Sequence, residues 1–80
     1  MTRTILRLPE ILHRRARSRS AHYLDIKAGL YTRPVSIGSR AIGWPEHEVL
    51  TLNNARIAGK TDDEIRALVA ELEAARKNLA

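Results

Sequence analysis

The 80-residue sequence predicts a mainly α fold with a small β-hairpin, read as a winged helix-turn-helix plus an added C-terminal amphipathic helix. Three observations carry this. Two short helical segments, one ending at Arg15 and one beginning at Arg19, are separated only by turn residues. Behind them, apolar residues alternate at period two on either side of Gly38-Ser39. The charge is also divided: nine bases face two acids from Met1 to Trp44, net +7, and five bases face seven acids thereafter, net −2.

Thr4–Leu8 reads as a short extended or capping segment that leads in. Pro9 suits a first helical position, where its missing N–H costs nothing, and Glu10 complements the helix dipole. Leu8, Ile11 and Leu12 share one face, so a two-turn helix is expected from Pro9 to about Arg15. Arg14-Arg15-Ala16-Arg17 reads as the turn, and Ser18 as N-cap of a second helix over residues 19–28, stopped by Gly29. Val35 and Ile37, then Ile42 and Trp44, mark the two strands of a hairpin turning at Gly38-Ser39. Because an isolated hairpin is marginal in water, its apolar face must lie on the helices, with the lone Trp44 as core.

Pro45 is placed to open a third helix running to Ala58, with Glu46 and Glu48 in its first turn and Val49, Leu50, Leu52 and Ile57 as its apolar residues. Thr61-Asp62-Asp63-Glu64 is a capping box, the strongest helix start in the chain. The stripe Ile65, Leu68, Val69, Leu72 and Leu79 behind it has two readings: self-association or docking on a partner, or folding back over a thin core. The expected division is residues 1–59 as the winged helix-turn-helix and 60–80 as the C-terminal helix.

Composition excludes several function classes. The absence of cysteine removes disulfide scaffolds, thiolate zinc sites, iron–sulfur clusters and cysteine nucleophiles. His13, His22 and His47 lie on three separate elements without ligand spacing, and the glycines sit at element ends rather than in a phosphate loop. No enzyme activity, cofactor or metal is expected. No apolar run approaches the ~18 residues of a membrane span, so the chain reads as a soluble cytoplasmic protein.

A basic front half points to a polyanion. Eleven of the 14 basic residues are arginine, the side chain that forks onto phosphate and guanine edges. The expected partner is double-stranded DNA, with the second helix in the major groove and its N-terminal residues on base edges. The candidate contacts are Arg15 and Arg17 at the turn, Ser18, Arg19, Ser20, His22, Tyr23 and Lys27 on the second helix, and Arg33, Ser39 and Arg40 on the hairpin. Tyr23 shares a face with Ile26 and Leu30, which also suits packing at the core edge, and Lys27 also suits the helix dipole. One such module buries only about 600–1,000 Å², so a homodimer or a cooperative array on DNA is expected.

In these residues the chain resembles the AlpA-like group of phage and prophage regulators, related to excisionases and built on a MerR-type winged helix-turn-helix. The matching pieces are Leu6-Arg7-Leu8-Pro9-Glu10-Ile11, then Ser18-Arg19-Ser20 with Tyr23, Ile26-Lys27 and Gly29, then Pro34-Val35-Ser36-Ile37-Gly38 and Trp44. The resemblance covers about Ile5 to Ile57. It implies a prophage or mobile-element transcriptional regulator or an excisionase-like directionality factor. Ala16-Arg17 stands where the pattern has a glycine and an apolar residue, Leu24 where it has arginine, and Asp25 where it has an apolar residue. A carboxylate at 25 would oppose phosphate or be costly to bury, so the second helix is expected to be rotated or altered in preference. That leaves a second reading: a protein-interaction module whose degenerate helix-turn-helix docks on a phage or host protein.

Overall fold

Leu8–Arg15 forms α1, with an extended Arg7 as N-cap and Pro9 in the first turn. The computed structural model describes residues 4–78. The end of α1 is a Schellman motif. The Ala16 N–H donates to the His13 carbonyl (3.3 Å) and the Arg17 N–H to that of Leu12 (3.2 Å), while Ala16 itself sits at φ 54°. The next helix, α2, spans Arg19–Lys27, and its N-cap Ser18 accepts the Ala21 N–H at 3.2 Å. It stops by the same device, with Gly29 at φ 78° and the Leu30 N–H bonded back to the Asp25 carbonyl at 2.8 Å.

The hairpin joins β2, Val35–Gly38, to β3, Ala41–Pro45. Its turn lies one residue later than expected, at Ser39-Arg40. A bulge between Ser36 and Gly38 carries the strand through Gly38, and the positive φ (141°) falls on Arg40 instead of a glycine. The lead-in contributes a third strand that the sequence pattern did not announce. Ile5–Leu6 forms β1, which pairs antiparallel with β3 and gives the order β1-β3-β2. Two residues are too few for an alternation signal; they are held because Leu6 lies opposite Trp44 and the Thr4 carbonyl accepts the Glu46 N–H at 2.7 Å. Gly43 permits that approach, since a Cβ there would lie 2.5 Å from Ile5 Cγ2 and 2.8 Å from the Leu6 carbonyl oxygen.

Pro45 serves as N-cap of α3, Glu46–Ile57, so the helix begins one residue later than expected. Val49, Leu52 and Ala55 face inward, whereas Leu50 and Ile57 point to water. The capping box forms at Thr61 and Glu64 and opens α4, Asp62–Ala75, followed by a 3-10 turn at Arg76–Asn78. Ile65 and Val69 of α4 enter the same core as Ile11, Tyr31, Trp44 and Leu52, while Leu68 and Leu72 pack at its edge. Burying each such aliphatic side chain stabilises the fold by roughly 1.5–3 kcal/mol. The stripe therefore folds back on its own chain; Leu79 lies outside the described residues. Glu48, in the first turn as expected, is fully buried and takes a bidentate hold on Arg76 (2.7 and 2.8 Å). Arg76 also donates to the Arg33 carbonyl at 2.7 Å, fastening the end of α4 to the base of the hairpin.

Candidate nucleic-acid interface

At 100° per residue, Arg19, Ser20, Tyr23, Leu24 and Lys27 fall on one side of α2, and all five are exposed. The other side carries His22 and Asp25, both buried, with Ala21 and Ile26 half-buried. The first-turn N–H groups beside Ser18 belong to a helix start, where backbone donors and the dipole favour an anion. Arg19 and Lys27 are engaged by no carboxylate among the described residues.

The inner side explains the unusual turn. Asp25 accepts from Arg15 Nη2 at 2.7 Å and from Arg17 Nε and Nη2 at 3.1 and 2.9 Å. Arg15 also sets Nη1 2.7 Å from His22 Nδ1 and lies 3.9 Å above the Tyr31 ring. Burial pushes the Asp25 carboxyl up, but the hydrogen bonds from Arg17 and Arg15 outweigh it and hold its pKa below the ordinary value. Burial, reinforced by the Arg15 charge, lowers His22 to about 4. His22 is therefore neutral at pH 7. Because Arg15 can only donate, Nδ1 is the acceptor and Nε2 carries the proton. The ring stacks edge-on to Trp44, centroids 4.9 Å apart.

Two expected DNA contacts are corrected by this cluster. His22 has no exposed surface, being packed against Tyr31 and Trp44, and the Arg15 side chain, held by Asp25 and the Tyr31 ring, is only 7% exposed. Arg17 is committed to Asp25 along one edge while 43% of its side chain still meets water. Asp25 opposes no phosphate, since it is turned inward. The two departures at 17 and 25 are thus partners of one another: an ion pair stands where the resembling pattern has apolar residues.

The remaining candidates are at the surface. Ser18, Arg19, Ser20, Tyr23 and Lys27 are exposed on α2, and Ser39 and Arg40 form the exposed hairpin tip. Arg33 is exposed at the hairpin base, with its N–H donated to Glu73 at 2.8 Å. Tyr23 packs its ring edge against His22 and is still 40% exposed. Leu24, which was not among the expected contacts, is 65% exposed at one edge of the outward face, beside Ser20. The signal was its spacing: it lies five residues after Arg19 and three before Lys27 on the same arc.

The family model described as prophage CP4-57 regulatory protein (AlpA) matches residues 4–56, from the residue before β1 almost to the end of α3. The uncharacterized protein ORF88 of Enterobacteria phage P4 is 38% identical over 55 residues, covering 69% of this chain and 62% of the relative. The matched segment therefore spans less than two thirds of that relative's length. No solved structure matches the chain. Among the described residues, no helix is long and apolar enough to cross a membrane.

Proposed function

Because the chain belongs to the AlpA family of prophage regulatory proteins, we propose that it binds double-stranded DNA sequence-specifically, with α2 in the major groove. One observation carries this reading: the outward face of α2 holds two cations and no acid, its single carboxylate, Asp25, being drawn inward by Arg15 and Arg17. Arg19 forks onto a base edge near the helix start, Ser18 and Ser20 meet phosphate, and Lys27 holds the backbone farther along. The β2–β3 hairpin acts as a wing, with Ser39, Arg40 and Arg33 on phosphate or an adjacent minor groove. Residues 1–59 form the DNA-binding unit, and α4 closes its core. The protein works in the cytoplasm without catalysis, as a transcriptional regulator or an excisionase-like directionality factor, and in pairs or rows, because one module covers too little DNA for high affinity.

Footprinting on DNA flanking its own gene tests the reading. Repeated short protected sites are expected, with binding that weakens steeply as salt rises. Arg19→Ala should lower specific affinity by about 1–3 kcal/mol while leaving random-duplex affinity nearly unchanged. Equal losses on both duplexes would assign Arg19 to phosphate, and salt-insensitive binding would count against the electrostatic basis altogether. The second reading, docking on a phage or host protein, is favoured by Leu50 (50% exposed) and Ile57 (84% exposed), which share one face of α3 seven residues apart. A protein that shows no footprint, and whose Ile57→Ser variant loses a co-purifying partner, would support it.

A further inference from the structure

We propose that Leu24 reads the 5-methyl group of a thymine, so that the target of this chain is a duplex site with a preferred T·A pair under the middle of α2. The inference rests on the DNA-binding reading above and deepens it. Leu24 is 65% exposed on a face that begins at Arg19 and ends at Lys27, with Ser20 and Tyr23 beside it. The rim of that apolar spot is cationic and hydrogen-bonding, and Asp25 is withdrawn from it, so its charge suits a polyanion as the covering surface. Within a major groove, the base-pair edges offer donors and acceptors with a single apolar feature, the thymine methyl. A leucine side chain makes no hydrogen bond and discriminates only through that methyl. Arg19 and Leu24 are five residues apart, about 7.5 Å along the helix axis. They therefore address different base pairs, the arginine a guanine and the leucine a thymine.

The test compares the full-length chain with Leu24→Ala and Leu24→Met in selections from a randomised duplex pool and from the same pool with deoxyuridine in place of thymine. The unaltered chain should enrich a site with a preferred T·A position. In the uracil pool, preference at that position should fall about fourfold, the worth of burying one methyl group. Leu24→Ala should show the same fall on the thymine pool with preference elsewhere intact, and Leu24→Met, which keeps an apolar contact, should retain it. Because the side chain is mostly in water, its truncation leaves the core untouched. Undiminished T·A preference in Leu24→Ala, or uracil read as well as thymine, overturns the assignment while DNA binding stands. Enrichment of no site, with no retention of random duplex at low salt, overturns the DNA-binding reading and this inference with it.

Discussion

Asp25 and Glu48 are both carboxylates withdrawn from water and held by arginine, yet they organise different parts of the molecule. The partners of Asp25 are local: Arg17 and Arg15 stand 8 and 10 residues before it, in and beside the α1–α2 turn. Glu48 is held by Arg76, 28 residues later, which ties α3 to the end of the described chain. The first cluster orients the helix that faces outward; the second fastens the tail over the core. The difference also lies in what remains when one partner is lost. A carboxylate left alone can take up a proton, whereas a guanidinium cannot shed its own.

The largest expected effect follows from that asymmetry. Asp25→Ala strands Arg15, enclosed against the Tyr31 ring, and should cost about 3–5 kcal/mol in urea unfolding. Arg76→Ala leaves Glu48 buried but able to neutralise itself, so its loss should be the smaller of the two. Equal losses, or a larger one at Arg76, would remove the distinction between the clusters.

Acid separates the clusters next. His22 titrates at about 4 in the folded chain and near 6.5 when unfolded, so between those values the unfolded chain binds more protons. The stability it contributes is complete above pH 6.5 and is lost as pH falls toward 4, by up to about 3 kcal/mol. Asp25, whose folded pKa is lowered, adds its own loss at still lower pH. Thermal unfolding from pH 7 to 4.5 should show the fall, and His22→Gln should flatten it. A pH dependence unchanged in that variant would place the titrating group elsewhere.

The smallest effect concerns the turn that the Asp25 cluster spans. Three helices end in Schellman motifs; two have glycine at the left-handed position, Gly29 and Gly59, and the third has Ala16. A Cβ in that conformation costs roughly 1–2 kcal/mol. Ala16→Gly should therefore raise stability by about 1 kcal/mol with no change in the Arg15–Asp25 contacts. A loss of stability would mean that the stiffer alanine is needed to present Arg17.

Much of the fold was legible because its causes are local. Ser18 as N-cap, the Thr61/Glu64 box, and the stops at Gly29 and Gly59 are bonds closed within a few residues of one another. Trp44 as core followed from its being the largest apolar side chain beside an alternating strand, and its Nε1 finds the Thr32 carbonyl at 2.8 Å. The candidate interface was only partly legible. Ser18, Arg19, Ser20, Tyr23 and Lys27 reach the surface as expected, but His22 and Arg15 do not, and Leu24 takes the place on the outward face that His22 was expected to fill. With polar residues on both sides of α2, hydrophobic periodicity could not set its rotation.

The sequence by itself determined where the helices begin and end, which half carries the positive charge, and the AlpA-like pattern from Leu6 to Trp44. The tertiary structure alone decided which charges are spent inside and which face outward. Capping bonds are chosen among neighbours three or four residues apart, so composition and spacing suffice to find them. A buried charge takes whichever opposite charge the fold brings within hydrogen-bond reach. Asp25 therefore became a clamp on the turn instead of a charge on the outward face, and Glu48 found its partner near the far end of the described chain.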